Sequence, residues 1–287
     1  MTDQTPIRTD MSAIAGVGPG FSLPDPADIP SVKGDVSEVE WQIRCDLAAT
    51  YWLAALHGWD DLVFTHISAR LPDEEGPDGK MHHRFLINPY GVLFDEMTAS
   101  SLVKIDTDGN KVADSPYFTN PAGFTIHSAV HLHRADAGCV LHLHTPYGVA
   151  VSAQKGGLRR YTQFAMVVSG DLAYHDYEGI ALELDERERL VADLGQHGFM
   201  MLRNHGTLTL GDNCAIAFLR MYFLEQACRA QVLAQAAGEG NLLEDTEEME
   251  ALVGRQGAPG FVKGMGDNLV WPGLMRKLKR KNPGWDV

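Results

Sequence analysis

The apolar run from Gly138 to His144 ends in two histidines spaced two residues apart, and this constrains the chain more than any other stretch. A strand places residues i and i+2 on one face, so the run suits a strand whose last residues turn His142 and His144 together into a cleft.

Ser37 followed by Glu40 is a capping-box pattern, and Val39 to His57 carries apolar residues at a helical period until Gly58 stops it. Leu62 to Leu71, Arg84 to Asn88 and Leu102 to Asp106 read as strands, the last turning back through Asp108-Gly109. Helices are expected from Phe124 to Arg134, from near Tyr147, and from Asp185 to Leu194. Phe199 to Arg203 and Thr207 to Leu210 form a strand pair about a turn, and a long amphipathic helix capped by Asp212 follows as far as Ala237. The order mixes helix and strand without a regular βαβ repeat. Residues 1–35 are rich in Gly, Pro and Asp and read as an extended arm, 36–240 as the folded domain, and 241–287 as a C-terminal extension ending in basic residues and Trp285.

Composition limits the partners. Of 287 residues 45% are hydrophobic, enough for a sizeable α/β core. The formal net charge of -14 opposes the phosphate neutralisation on which nucleic-acid binding depends, and it disfavours anionic membrane surfaces. No apolar run has the length of a membrane span, and Met1 to Asp10 lacks the pattern of a secretory signal. The four cysteines, Cys45, Cys139, Cys214 and Cys228, are widely spaced with no CxxC pair. They read as reduced core thiols of a cytoplasmic protein.

Neutral imidazole is the commonest metal ligand, and a third histidine would complete a site with open coordination positions. His205 is the candidate, in the turn Arg203-Asn204-His205-Gly206, where Gly206 permits a tight backbone and Asn204 can supply a supporting hydrogen bond. By spacing alone, the His-x-His pair suits either a metal or two hydrogen-bonded histidines.

Several strings in order carry a resemblance. Asp61 to Arg70, Asn88-Pro89-Tyr90-Gly91, Asn120 to Val130, His142-Leu143-His144-Thr145-Pro146, Ala173 to Gly179 and Arg203-Asn204-His205-Gly206 resemble the class II aldolase/adducin family, in particular its adducin-head-like bacterial branch. The resemblance spans roughly 36–240. It implies a three-layer αβα sandwich with a mainly antiparallel central sheet, a homotetramer with active sites at subunit boundaries, and one divalent metal, usually zinc and in some members manganese or iron. His142, His144 and His205 fall on the ligand positions.

The chain departs from the family's aldolases at the base. Their Ser-Ser-Glu string, whose glutamate is the general base, matches Pro121-Ala122-Gly123 here. Glycine has no titratable group, so proton transfer must come from elsewhere. The phosphate-binding serines are also replaced, and the Gly-Asn phosphate element falls on Thr65-His66, which speaks against a phosphorylated sugar. His127, which shares a helix face with His131, and Tyr174 and Tyr177 in the string Tyr174-His175-Asp176-Tyr177-Glu178 are the candidate proton carriers. His127 equally suits a structural histidine, and the tyrosine string an ordinary polar turn.

Two classes of function follow. One is a metal-dependent lyase acting on a small non-phosphorylated hydroxy-carbonyl or carboxylate compound, by decarboxylation or retro-aldol cleavage, with an Fe(II)-dependent oxygenase as a related alternative. The other is a non-catalytic, adducin-head-like assembly module.

Overall fold

Three helix-covered clusters of side chains account for the architecture, and each follows from strand alternation. The computed structural model describes residues 21–76, 79–179, 186–257 and 259–287. Helix α1 (Glu38–Leu56) is followed by β1 (His66–Arg70), a small hairpin of β2 (Glu74–Glu75) and β3 (Met81–His82), then β4 (Arg84–Ile87) and β5 (Val103–Asp106). Next come α2 (Pro121–His133), β6 (Cys139–Leu143), α3 (Pro146–Ser152), α4 (Gln163–Ser169) and β7 (Leu172–His175). The chain continues through α5 (Glu186–Leu194), β8 (Phe199–Leu202), β9 (Gly206–Gly211) and the long α6 (Cys214–Gln235). It ends in α7 (Glu247–Gln256), α8 (Pro259–Met265), a π-helical turn at Gly266–Val270 and α9 (Trp271–Lys281).

The seven-stranded sheet has the order β5-β4-β1-β6-β9-β8-β7. Every neighbouring pair is antiparallel except β7 with β8, which are parallel. Along β6, Cys139, Leu141 and Leu143 join a core with α1 and α6, whereas Val140 joins the opposite core with Ile126 and Val130 of α2 and Leu190 and Leu194 of α5. Met200 and Leu202 of β8 face that second core, while Phe199 and Met201 pack with Ala165 and Val168 of α4 and Leu224 of α6. Helices α1, α4 and α6 therefore cover one face and α2 and α5 the other. This is the three-layer α/β sandwich with a mainly antiparallel sheet.

Several boundaries shift for identifiable reasons. Ser37 Oγ accepts the Glu40 N–H at 3.1 Å, but the Glu40 carboxylate does not turn back; it is buried between Arg44 and Lys104, each at 2.9 Å. The strand expected from Leu62 starts only at His66, because Leu62 takes a left-handed φ of 48° in the preceding turn. Helix α2 begins at Pro121, three residues before Phe124, since proline suits a first helical position. The cap of α6 is Asn213, whose side chain accepts the Ile216 N–H; the neighbouring Asp212 instead pairs with Lys263. Residues 1–20 of the expected arm, and Asp185 at the start of the expected charged helix, lie outside the described residues.

The four cysteines are free thiols, and Cys139, Cys214 and Cys228 are buried. Near the C-terminus, Leu278 and Trp285 are buried in the core that contains α1, and Trp271 is packed against it. The backbone N–H groups of Ala99 and Ser100 donate to the carbonyls of Trp285 and Val287, at 2.8 and 3.0 Å. Among the described residues no helix is long and apolar enough to cross a membrane.

Candidate metal centre

Strand β6 ends where β9 begins, and the three histidines meet there. His142 sits within β6, paired across the ladder with Leu208 of β9, and His144 follows one residue beyond the strand's end. His205 stands in the turn between β8 and β9. That turn is tight because Asn204 takes a left-handed φ of 57° and because a Cβ on Gly206 would stand 2.8 Å from the Leu143 carbonyl oxygen and 3.0 Å from His144 Cδ2. One side-chain nitrogen from each of His142, His144 and His205 lies within 4.8 Å of the others. Their ring centroids are 4.7 to 5.1 Å apart.

Hydrogen bonds behind the rings fix which nitrogen is offered. His142 Nδ1–H donates to the Thr207 carbonyl at 3.1 Å, and His144 Nδ1–H donates to Asp61 Oδ2 at 2.8 Å. Each leaves Nε2 with a lone pair, as a metal ligand requires. The Nε2 of His144 is buried and has no hydrogen-bond partner. A buried polar atom left so costs about 1–3 kcal/mol, a cost that a bound cation removes. Burial pushes His142 well below the usual imidazole range and brings His205 down to about 4, with the neighbouring His144 acting in the same direction. Both are therefore neutral at pH 7, the form that binds metal. Three imidazoles that converge in this way fit a divalent metal ion.

The chain after His144 is held from below. Glu225, buried in α6, accepts the N–H groups of Tyr147 and Gly148 at 3.3 and 2.9 Å, capping α3 at the point where it leaves the site. Sequence reading gave Glu225 no role, since its only signal is a carboxylate in an otherwise apolar helical stretch. The role of Asp61 was equally hidden, because its partner is 83 residues away.

The candidate proton carriers fall in different places. Tyr177 is exposed, with its ring centroid 6.2 Å from that of His205, at the rim of a shallow hollow that Ile126, Leu202 and Arg203 also line. Tyr174 points away from the triad: its hydroxyl accepts the Leu158 N–H at 2.9 Å, and the Arg203 guanidinium lies over its ring. His127 is fully buried one layer deeper, bonded to His66 and Ser68. Gly123 stands against the ring of His66, and a Cβ there would lie 2.9 Å from both Cγ and Cδ2. The larger hollows of the molecule lie elsewhere, one between α4 and the C-terminal helices and one beside Glu40 and Arg44.

Comparison with known proteins agrees with this architecture. The Class II Aldolase and Adducin N-terminal domain matches residues 45–232. A Caulobacter vibrioides protein provisionally named a class 2 aldolase is 58% identical over 255 residues, 89% of this chain and 96% of that protein. Mouse alpha-adducin is 43% identical over 206 residues, 70% of this chain and 27% of adducin. The crystal structure of an aldolase II superfamily protein from Pseudomonas syringae superposes with a TM-score of 0.80 at 48% identity, covering 90% of this chain and all of that one. The chain belongs to the class II aldolase/adducin family.

Proposed function

We propose that the protein is a metal-dependent carbon–carbon lyase acting on a small, non-phosphorylated hydroxy-carbonyl or carboxylate compound. The observation that carries this reading is the convergence of His142, His144 and His205, with Nε2 of His142 and His144 freed by hydrogen bonds on the other nitrogen. His142, His144 and His205 would hold a divalent ion, zinc before manganese or iron, and it would supply Lewis-acid polarisation of a substrate carbonyl. The chain's own residues define what else happens. Glycine at position 123 supplies no carboxylate, which favours decarboxylation over a reaction that begins with proton removal from a hydroxyl. Tyr177, at the rim beside His205, is placed to meet a ligand that enters the hollow. The assembly expected of the working protein is a cytoplasmic homotetramer.

The second reading is a non-catalytic adducin-head-like module. It is favoured by the similarity to alpha-adducin together with Gly123. Metal analysis by mass spectrometry on natively purified protein separates the two, with His142→Ala as control. About one equivalent per chain, lost in the variant, is the expected result. No metal in either protein, even after reconstitution, leaves the assembly reading in front.

A further inference from the structure

Beside the triad lies a second set of polar side chains whose hydrogen bonds admit one consistent placement of protons. Strand alternation puts His66 and Ser68 on one face of β1, directly opposite His142 and Val140 of β6. Residues four apart on a helix share a face, which brings His127 and His131 of α2 over the same spot. His66 Nδ1 is 2.7 Å from His127 Nε2, and His127 Nδ1 is 2.5 Å from Ser68 Oγ. Ser68 Oγ is 2.6 Å from His131 Nε2, and His131 Nδ1 is 2.9 Å from the Ala137 carbonyl oxygen. All four side chains are buried.

The direction of the chain follows from its inner end. A carbonyl oxygen can only accept, so His131 carries its proton on Nδ1. All three rings are buried, and burial favours neutral imidazole, so His131 Nε2 is bare and receives the Ser68 hydroxyl proton. Ser68 has no second proton to give, and its oxygen accepts from His127 Nδ1–H. His127 Nε2 is then bare and accepts from His66 Nδ1–H. The leftover lone pair is on His66 Nε2, in a ring whose centroid is 4.9 Å from that of His142.

We propose that this chain makes His66 a specificity-determining residue, an obligate hydrogen-bond acceptor beside the metal centre that favours a ligand hydroxyl and disfavours a carboxylate or phosphate oxygen at that position. His66 is as deeply buried as His142, each 1% exposed, so only a small group already held at the triad can reach it. Gly123 is the helix position that leaves room for its ring. The proposal rests on the lyase reading and narrows its substrate to compounds with a hydroxyl next to the metal-binding oxygen.

Long-range 1H–15N spectra of metal-free, histidine-labelled protein read the tautomers directly. His66, His127 and His131 are all expected to be protonated at Nδ1. A proton on Nε2 of His66 overturns the proposal. In the zinc-loaded protein, Ser68→Ala frees the tautomers and is expected to weaken hydroxyacetone binding about fivefold, the worth of one hydrogen bond, with acetate binding and zinc affinity unchanged. Equal loss for both probes overturns it as well. The two readings fail separately: Nδ1 tautomers in a protein that takes up no zinc remove the lyase reading, whereas Nε2–H on His66 in a zinc-binding protein removes this one.

Discussion

Asp61 Oδ2 accepts the Nδ1–H of His144 at 2.8 Å, and this one bond decides which nitrogen of His144 faces the other two histidines. Supporting carboxylates of this kind are typically worth 10- to 100-fold in metal affinity. The Asp61 side chain is 43% exposed, so solvent screening places the effect at the lower end. Asp61→Asn is expected to weaken zinc binding about tenfold in a competition titration with a chromophoric chelator. An unchanged affinity would mean that the bond does not orient the ligand.

Restoring a carboxylate at position 123 is expected to fail. A side chain there meets the ring of His66 at once, and overpacking a filled core costs roughly 1–3 kcal/mol. Urea unfolding of Gly123→Glu is expected to show that loss. Combining it with His66→Ala removes the obstruction, so the double variant should lose clearly less stability than the sum of the single ones. Simple additivity would show that the two positions do not compete for space.

Glu225 bears on the site from the far side of the sheet. Glu225→Ala leaves the half-buried N–H of Tyr147 and the buried N–H of Gly148 without their acceptor, for a stability loss of about 1–3 kcal/mol. Glu225→Gln retains one oxygen and is expected to lose less. Thermal melts of the two variants give the comparison, and equal losses would argue against the capping role.

The buried histidines set an acid limit on the metal-free protein. His131 is brought down to about 4 by burial, from an ordinary value of 6.5. Between those values the unfolded chain binds the proton and the folded chain does not. The contribution is therefore present in full above about pH 6.5 and is lost as pH falls towards 4. Urea midpoints measured across that range should decline, and His131→Gln should flatten part of the slope. An unaltered slope in the variant would assign the decline to other groups.

Much of this site could be read from local spacing. His142 and His144 announce themselves through strand alternation, and His205 through a turn whose Gly206 has no room for a side chain. The strings around them carry the resemblance to the family. What spacing could not reveal was every relationship between distant segments. Asp61 with His144, Glu225 with the start of α3, and His66 with Gly123 each join residues more than fifty positions apart, and no periodicity within either segment predicts the partner. His127 shows the same limit from the other side. Its helical spacing from His131 was evident, but only the register of β1 against β6 places both over Ser68.

The bonds from Ala99 and Ser100 to the carbonyls of Trp285 and Val287 carry a kinetic consequence. The core around α1 is lined by Leu47 and Leu53, yet Leu278 and Trp285, which help to close it, lie more than 200 positions further along the chain. Contacts so far apart in sequence form slowly, because loop closure must precede the gain they bring. A nascent chain halted before α9 would hold this core open to water and to other chains, so the core around α1 is completed only after α9 has left the ribosome.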